Sequence, residues 1–222
     1  MSEPAELGIR SDTSRVESFS DGVLAIVITL LVLDLRVPEG EPGHLLHGLL
    51  DQWPAYAAYV SSYLYVAVVW LNHKAAFSRI RQADRALGWA NLFILFTAVL
   101  LPFPTSVVSR ALQEHNQTDQ RVAIAFYALV GAVLSLSWLA FYHYLSRHRE
   151  LLEEEVHDRF FPVERIRALV GVILYVAAGL VGYLLEPLVG LVVFVLLPLF
   201  YGFTSIGLYY VTPIGRRRAS GR

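Results

Sequence analysis

Long runs of apolar residues, each long enough to cross a lipid bilayer, constrain the fold of this sequence most strongly. A transmembrane helix needs about 20 apolar residues, because each residue adds about 1.5 Å and the hydrocarbon core is about 30 Å thick. Six segments meet this condition: 18–36, 53–78, 86–109, 121–146, 164–185 and 188–212. Backbone polar groups within lipid must bond inside the protein, so we predict an all-α, polytopic membrane protein with six transmembrane helices. Residues 1–222 form one such domain.

Composition agrees with this class and argues against several others. Hydrophobic residues make up 55% of the chain and charged residues only 17%, and the mean hydropathy is +0.50. The absence of cysteine excludes disulfides and thiol chemistry. A net charge of −1 gives no reason to expect nucleic acid as a partner. The sequence contains no P-loop, nucleophile elbow or HExxH motif, so we expect neither an enzyme nor a bound cofactor.

Prolines mark the expected breaks between and within the helices. Pro102 and Pro104 should kink the third span, and Glu186-Pro187 should form a tight turn between the fifth and sixth spans. The connection 147–165 is rich in charge, which is typical of a solvated helix. We therefore expect the fourth helix to continue past the membrane and to turn before Pro162.

The distribution of positive charge predicts the orientation. Six spans place both termini on one side, together with the loops after the second and fourth spans. Of the 18 lysines and arginines, the other side holds only Arg36, Arg110 and Arg121. Positive residues concentrate on the cytoplasmic side of membrane proteins, so both termini are predicted to be cytoplasmic. A bacterial plasma membrane fits this pattern.

The first span carries an apolar seam, by which we mean Ile26, Leu30, Leu33 and Val37. At 100° per residue these four side chains fall within about 60° of one another, with Gly22 and Thr29 beside them. Ordinary packing against neighbouring helices would account for such a pattern.

The same span begins with charge. Asp21 lies about 140° from Ile26 around the helix, and an intramembrane carboxylate needs a partner because it costs about 2.5–3.5 kcal/mol to insert. Partners are expected at the same depth in Arg15, Ser20 and the end of the second span: Trp70, Asn72 and His73. This cluster is either a structural latch between two helices or a proton relay, because imidazole beside carboxylate titrates near neutrality.

These residues form a recognisable pattern. Arg15, Phe19 and "SDG" (20–22), followed by "VLAIVITLLVLDLRVP", resemble the signature of the lysosomal and bacterial potassium channels of the transmembrane protein 175 family. The "WLNH" of residues 70–73 is also similar to that family's second span. The resemblance implies a prokaryotic homotetramer of six-span subunits, conducting potassium ions across a lipid bilayer.

The resemblance also implies roles for individual residues. The first helix of each subunit would line the pore, with Ile26 forming its narrowest ring and Leu30 and Leu33 the next two. Thr29 matches a position whose hydroxyl helps to favour potassium. The motif residues with His73 would form a structural polar network: Arg15, Phe19, Ser20, Asp21, Trp70, Asn72 and His73. Three aliphatic rings would close the pore by dewetting, and the sequence contains no TVGYG filter.

Asp34 and a histidine pair leave alternatives open. Asp34 is either an acid at the outer mouth that concentrates cations or an interface acid paired with Arg36. His44, His47 and Asp51 have helical spacing that could bind a metal, but we interpret them as facing water and expect no metal site.

Two other functions remain open. A proton-coupled secondary transporter using the Asp21–His73 pair would need broken helices at the midplane, for which Pro102 and Pro104 are the only indication. A membrane-embedded scaffold has no positive sign in the sequence.

Overall fold

The computed structural model describes residues 13–38, 42–114, 116–154 and 160–204. Within these ranges the chain is helical, and the only extended pairing is an isolated bridge between Ile80 and Leu152. The helices are α1 (Thr13–Leu30), α2 (Leu45–Asp51), α3 (Trp53–Phe77), α4 (Arg85–Val99), α5 (Pro102–Gln113), α6 (Gln117–Arg147), α7 (Phe160–Leu184) and α8 (Pro187–Thr204). A 3₁₀ turn, Leu31–Asp34, extends α1.

Five segments are long and apolar enough to cross a membrane, and they correspond to the first five predicted spans. They are Thr13–Asp34, Trp53–Phe77, Arg85–Gln113, Gln117–Arg147 and Phe160–Leu184. The sixth predicted span, 188–212, begins in the apolar helix α8, and its residues 205–212 lie outside the described ranges. Both chain termini also lie outside them, so their cytoplasmic location stays a prediction.

The helix breaks occur where the prolines predict them. The third span is divided between α4 and α5 at Leu100–Leu101, directly before Pro102. Proline lacks the N–H that would continue the ladder, but it is accommodated in the first turn of a new helix. The same rule explains why α8 begins at Pro187, with two residues between it and the end of α7.

The connection after α6 differs from the prediction. The helix ends at Arg147 instead of continuing, and a 3₁₀ turn at 149–151 folds back on the segment after α3. Arg81 N donates to Leu151 O at 2.8 Å, and Leu151 and Leu152 are buried there. Burying two leucines favours this path over a solvated helix. Pro162 lies in the first turn of α7, which begins at Phe160.

Small residues bring α6 and α7 into close contact. A Cβ placed on Gly179 of α7 would lie 2.5 Å from the Cβ of Ala128 on α6. Close approach of this kind replaces the hydrophobic effect as a source of helix association within lipid. Buried hydroxyls contribute as well: Ser62 of α3 hydrogen-bonds to Thr105 at 2.6 Å and to Tyr127 at 2.9 Å.

Candidate functional site

Helix α1 has one buried face and one exposed face. Ser20, Leu24, Val27 and Leu31 are buried against α3 and α4. The apolar seam lies on the other side, where Ile26 is 60% exposed and Val37 is 82% exposed. Packing against other helices of the same chain therefore does not account for the seam. A face this apolar requires lipid or another protein chain to cover it.

Polar groups accompany the seam at the middle and the C-terminal end of the first span. Thr29 is exposed, and its hydroxyl donates to Ile26 O at 2.8 Å. The hydroxyl proton is thereby directed to the backbone, which leaves both lone pairs of the oxygen available to an outside donor or cation.

Asp34 is half-buried, and its carboxylate accepts a hydrogen bond from the Ser106 hydroxyl of α5. Both residues border a groove of about 490 Å³ that also contacts Arg36, Arg110 and Glu114. Arg36 thus lies at the same groove as Asp34, so both interpretations of this acid remain open.

The buried face of α1 carries a set of hydrogen-bonded side chains at the middle of the helix. We call this set the polar base; it consists of Ser20, Asp21, Trp70, His73 and Asn91. Trp70 Nε1 of α3 donates to Asp21 Oδ1 at 2.9 Å. An indole N–H bonded to a carboxylate satisfies two groups that are costly to leave unpaired in lipid.

The second part of the polar base is a directional chain of three residues. Ser20 Oγ donates to Val16 O at 2.8 Å and accepts from Asn91 Nδ2 at 3.0 Å. Asn91 therefore presents its carbonyl oxygen to His73 Nε2, 2.9 Å away. Because that oxygen can only accept, Nε2 carries the imidazole proton. The chain joins α1, α3 and α4 through groups that are almost completely buried.

The predicted network did not include Asn91, and it included Asn72. Asn91 interrupts the apolar run "WANLFILF", and an amide within a span is a signal that could have identified it. Asn72 instead borders a cavity formed with α6, α7 and α8. Neighbouring residues on a helix point about 100° apart, so Asn72 and His73 face different surroundings.

Arg15 and Phe19 lie on the outward side of α1. Both side chains are exposed in the single chain, whereas Ser20 beside them is buried. The structure thus brings together Ser20, Asp21, Trp70 and His73 from the predicted network.

No group of three or more metal-ligating side chains occurs among the described residues. His47 Nδ1 and Asp51 Oδ2 of α2 lie 2.7 Å apart, and both side chains are well exposed to solvent.

The fold and the site together define a multi-pass helical membrane protein whose first span exposes an apolar face and carries a polar base on the opposite side. A family model described as "Endosomal/lysosomal potassium channel TMEM175" matches residues 15–102. A protein of Streptomyces collinus named as a potassium channel is 39% identical over 198 residues, covering 88% of this chain and 94% of that relative. The chain therefore belongs to the TMEM175 family.

Two further comparisons agree with this assignment. The crystal structure of a lysosomal potassium-selective channel TMEM175 homologue from Chamaesiphon minutus superposes with a TM-score of 0.75 at 29% identity, covering 86% of this chain and 96% of that one. The human protein named endosomal/lysosomal proton channel TMEM175 is 34% identical over 120 residues, which covers 50% of this chain and 24% of the human protein.

Proposed function

We propose that this chain is a potassium-permeable cation channel in which four copies surround a pore lined by α1. The proposal agrees with the names of the bacterial relatives, which are potassium channels. It includes six spans per subunit, both termini in the cytoplasm and a bacterial plasma membrane. The bilayer and three further copies of the chain are its partners.

The observation that carries the proposal is the exposed apolar seam. Ile26, Leu30 and Leu33 are exposed, while the opposite face of the same helix is hydrogen-bonded to α3 and α4. Those hydrogen bonds fix which face of α1 turns outward. Asp34, at the C-terminal end of the same span, borders an open groove, which argues for a partly aqueous surrounding there because a carboxylate facing lipid is costly.

A hydrophobic constriction is the proposed gate. Ile26 would form the narrowest of three stacked rings, and Leu30 and Leu33 would follow one and two turns further along. Water leaves an aliphatic constriction when it is narrow, which stops ion flow without any moving charge. A small outward movement of α1 would rewet the pore.

Selectivity would come from the cost of removing water from the ion. The sequence has no TVGYG segment, and potassium loses its hydration shell more readily than sodium does. Four Thr29 hydroxyl oxygens could replace part of that shell. Their hydrogen bond to Ile26 O orients each oxygen without consuming it as an acceptor.

Asp34 is proposed as an acid at the outer mouth. With the termini inside, the C-terminal end of α1 lies outside, and four carboxylates there would raise the local concentration of cations. The hydrogen bond from Ser106 holds this carboxylate in place.

The polar base is proposed to be a structural latch that sets the position of α1. Arg15 and Phe19 would complete it at the surface between subunits. The rival function, a proton-coupled transporter, needs an acid–base pair that shares a proton. Here Asp21 accepts a hydrogen bond from Trp70, whereas His73 donates one to Asn91. The bacterial relative is moreover named as a channel and not as a transporter.

The test is ion flux in liposomes that contain only the purified protein. A channel passes rubidium or potassium down its gradient with no second ion, and the rate follows the gradient without saturating. Uptake that saturates and requires a proton gradient would instead support the transporter.

A further inference from the structure

A small cavity lies inside the single subunit, away from the exposed face of α1. It has a volume of about 50 Å³, is lined by α3, α6, α7 and α8, and is partly open on one side. Most of its lining is apolar, but several polar and charged side chains reach it. The polar lining residues include Asn72, Ser135, Trp138, Glu164, Arg167 and Tyr201.

A buried ion pair forms one wall. Arg167 Nη1 donates to Glu164 Oε1 at 2.8 Å, and the two side chains are only 17% and 7% exposed. Tyr201 Oη donates to Arg167 O at 2.9 Å, which ties α8 to the same point. Charges removed from water lose several kcal/mol of hydration each, so further hydrogen bonds are needed to compensate.

Trp138 supplies a hydrogen-bond donor to this cavity. The residue is 6% exposed, and its indole N–H has no acceptor among the residues that the structure describes. An indole nitrogen can only donate, and a buried donor without an acceptor costs about 1–3 kcal/mol. An acceptor that enters the cavity would satisfy this N–H.

Two hydroxyls converge beside it at Gly171. A Cβ placed on Gly171 would lie 2.7 Å from Tyr201 Oη and 3.0 Å from Ser135 Oγ. Glycine thus lets the two hydroxyls, whose residues both line the cavity, approach the backbone of α7 closely. Ser135 lies three residues before Trp138 on α6, so the hydroxyl and the indole share a face.

We propose that this cavity is a hydration site that binds a few water molecules in each subunit. A buried water needs about 10–15 Å³ and two to four polar partners, and the cavity offers both. Water can accept from Trp138 Nε1 and hydrogen-bond to Ser135 and Tyr201. Glu164 and Arg167 cancel in charge, which leaves little attraction for an ion, and the volume is too small for an organic ligand.

Hydroxyl-radical footprinting of the reconstituted protein in ¹⁸O water tests the proposal, because radicals formed from an internal water oxidise the side chain beside it. Tyr142 lines the cavity and Tyr127 does not, yet they are 3% and 2% exposed. We expect ¹⁸O incorporation at Trp138 and Tyr142 and none at Tyr127. Equal protection of Tyr142 and Tyr127, with Trp138 unlabelled, would overturn the proposal.

A variant that displaces the two hydroxyls provides the second arm. Gly171→Ala places a methyl group against Tyr201 Oη and Ser135 Oγ, moves both away from their positions in the lining, and should reduce labelling of Trp138 and Tyr142. Gly88→Ala is the matched control, since a Cβ there meets nothing within 4 Å. If Gly171→Ala does not fold, Ser135→Val removes one of the two hydroxyls and puts an apolar side chain into the lining from α6. Undiminished labelling in either folded variant would show that radicals arrive by another route and would contradict the proposal.

Discussion

Asn91 of α4 donates a hydrogen bond of 3.0 Å to Ser20 Oγ of α1, and both residues are almost completely buried. This bond joins the helix that we propose lines the pore to the helix behind it. Together with the bond between Trp70 and Asp21 it fixes the rotation of α1 about its own axis. The outward direction of Ile26 is therefore a consequence of polar contacts on the opposite face.

Replacing Asn91 should loosen α1 without changing ion preference. Asn91→Leu has a similar volume but leaves Ser20 without its donor and His73 Nε2 without its acceptor. We expect a loss of about 1–3 kcal/mol of stability, seen as a lower melting temperature of the assembled protein in detergent. Thr118→Val on the exposed start of α6 is the control. A melting temperature equal to that of the wild type would contradict a structural role.

Asp21 and Trp70 should act as one unit. Asp21→Asn keeps an acceptor but removes the charge, so we expect it to impair tetramer assembly less than Asp21→Leu does. Trp70→Phe removes the donor, and combining it with Asp21→Leu should cost less than the sum of the two single changes. Size-exclusion chromatography and melting curves measure both effects. Normal assembly of Asp21→Asn with an altered reversal potential would instead assign Asp21 to the ion path.

The narrowest ring is tested by making it polar. Ile26→Asn should wet the constriction, raise conductance and reduce the preference for potassium over sodium. Ile173→Asn on α7 is a matched control, because Ile173 has the same side chain and is 57% exposed. Currents and reversal potentials in planar bilayers provide the measurement. If Ile26→Asn and Ile173→Asn behave alike, Ile26 does not line the constriction.

If Asp34 is an acid at the outer mouth, its effect on conductance should depend on salt concentration. Asp34→Asn is expected to lower inward conductance at low ionic strength, and the difference should vanish near 1 M salt, where the screening length is about 3 Å. Asp51→Asn, which changes an exposed acid on α2, should have no such effect. A salt-independent loss for Asp34→Asn would indicate a structural acid bonded to Ser106.

Sequence alone predicted the helices well, because span length and proline position are local properties. The breaks before Pro102 and Pro187 follow directly from the missing N–H of proline. The fold of residues 148–154 was not predictable in this way. Its charge pattern favours a solvated helix, whereas Leu151 and Leu152 are buried by contacts with the distant segment at Ile80. Tertiary burial overrides the local signal there.

The polar base was predicted in part for a similar reason. The prediction matched Ser20 and Asp21 with Trp70 and His73 by depth, since the start of the first span and the end of the second span lie at the same depth in the membrane. Depth does not determine which way a side chain points around its helix, so Asn72 was assigned to the network and Asn91 was overlooked. Contact between the helices, which the sequence does not encode locally, selects Asn91.

The central claim is that α1 lines the pore, and cysteine accessibility tests it most directly. The chain contains no cysteine, so Ile26→Cys introduces the only thiol. We predict that silver ions applied during recording block the Ile26→Cys current and leave Ile173→Cys and the wild type unaffected. An unblocked Ile26→Cys current, with mass spectrometry showing that the thiol had bound silver, would contradict the account.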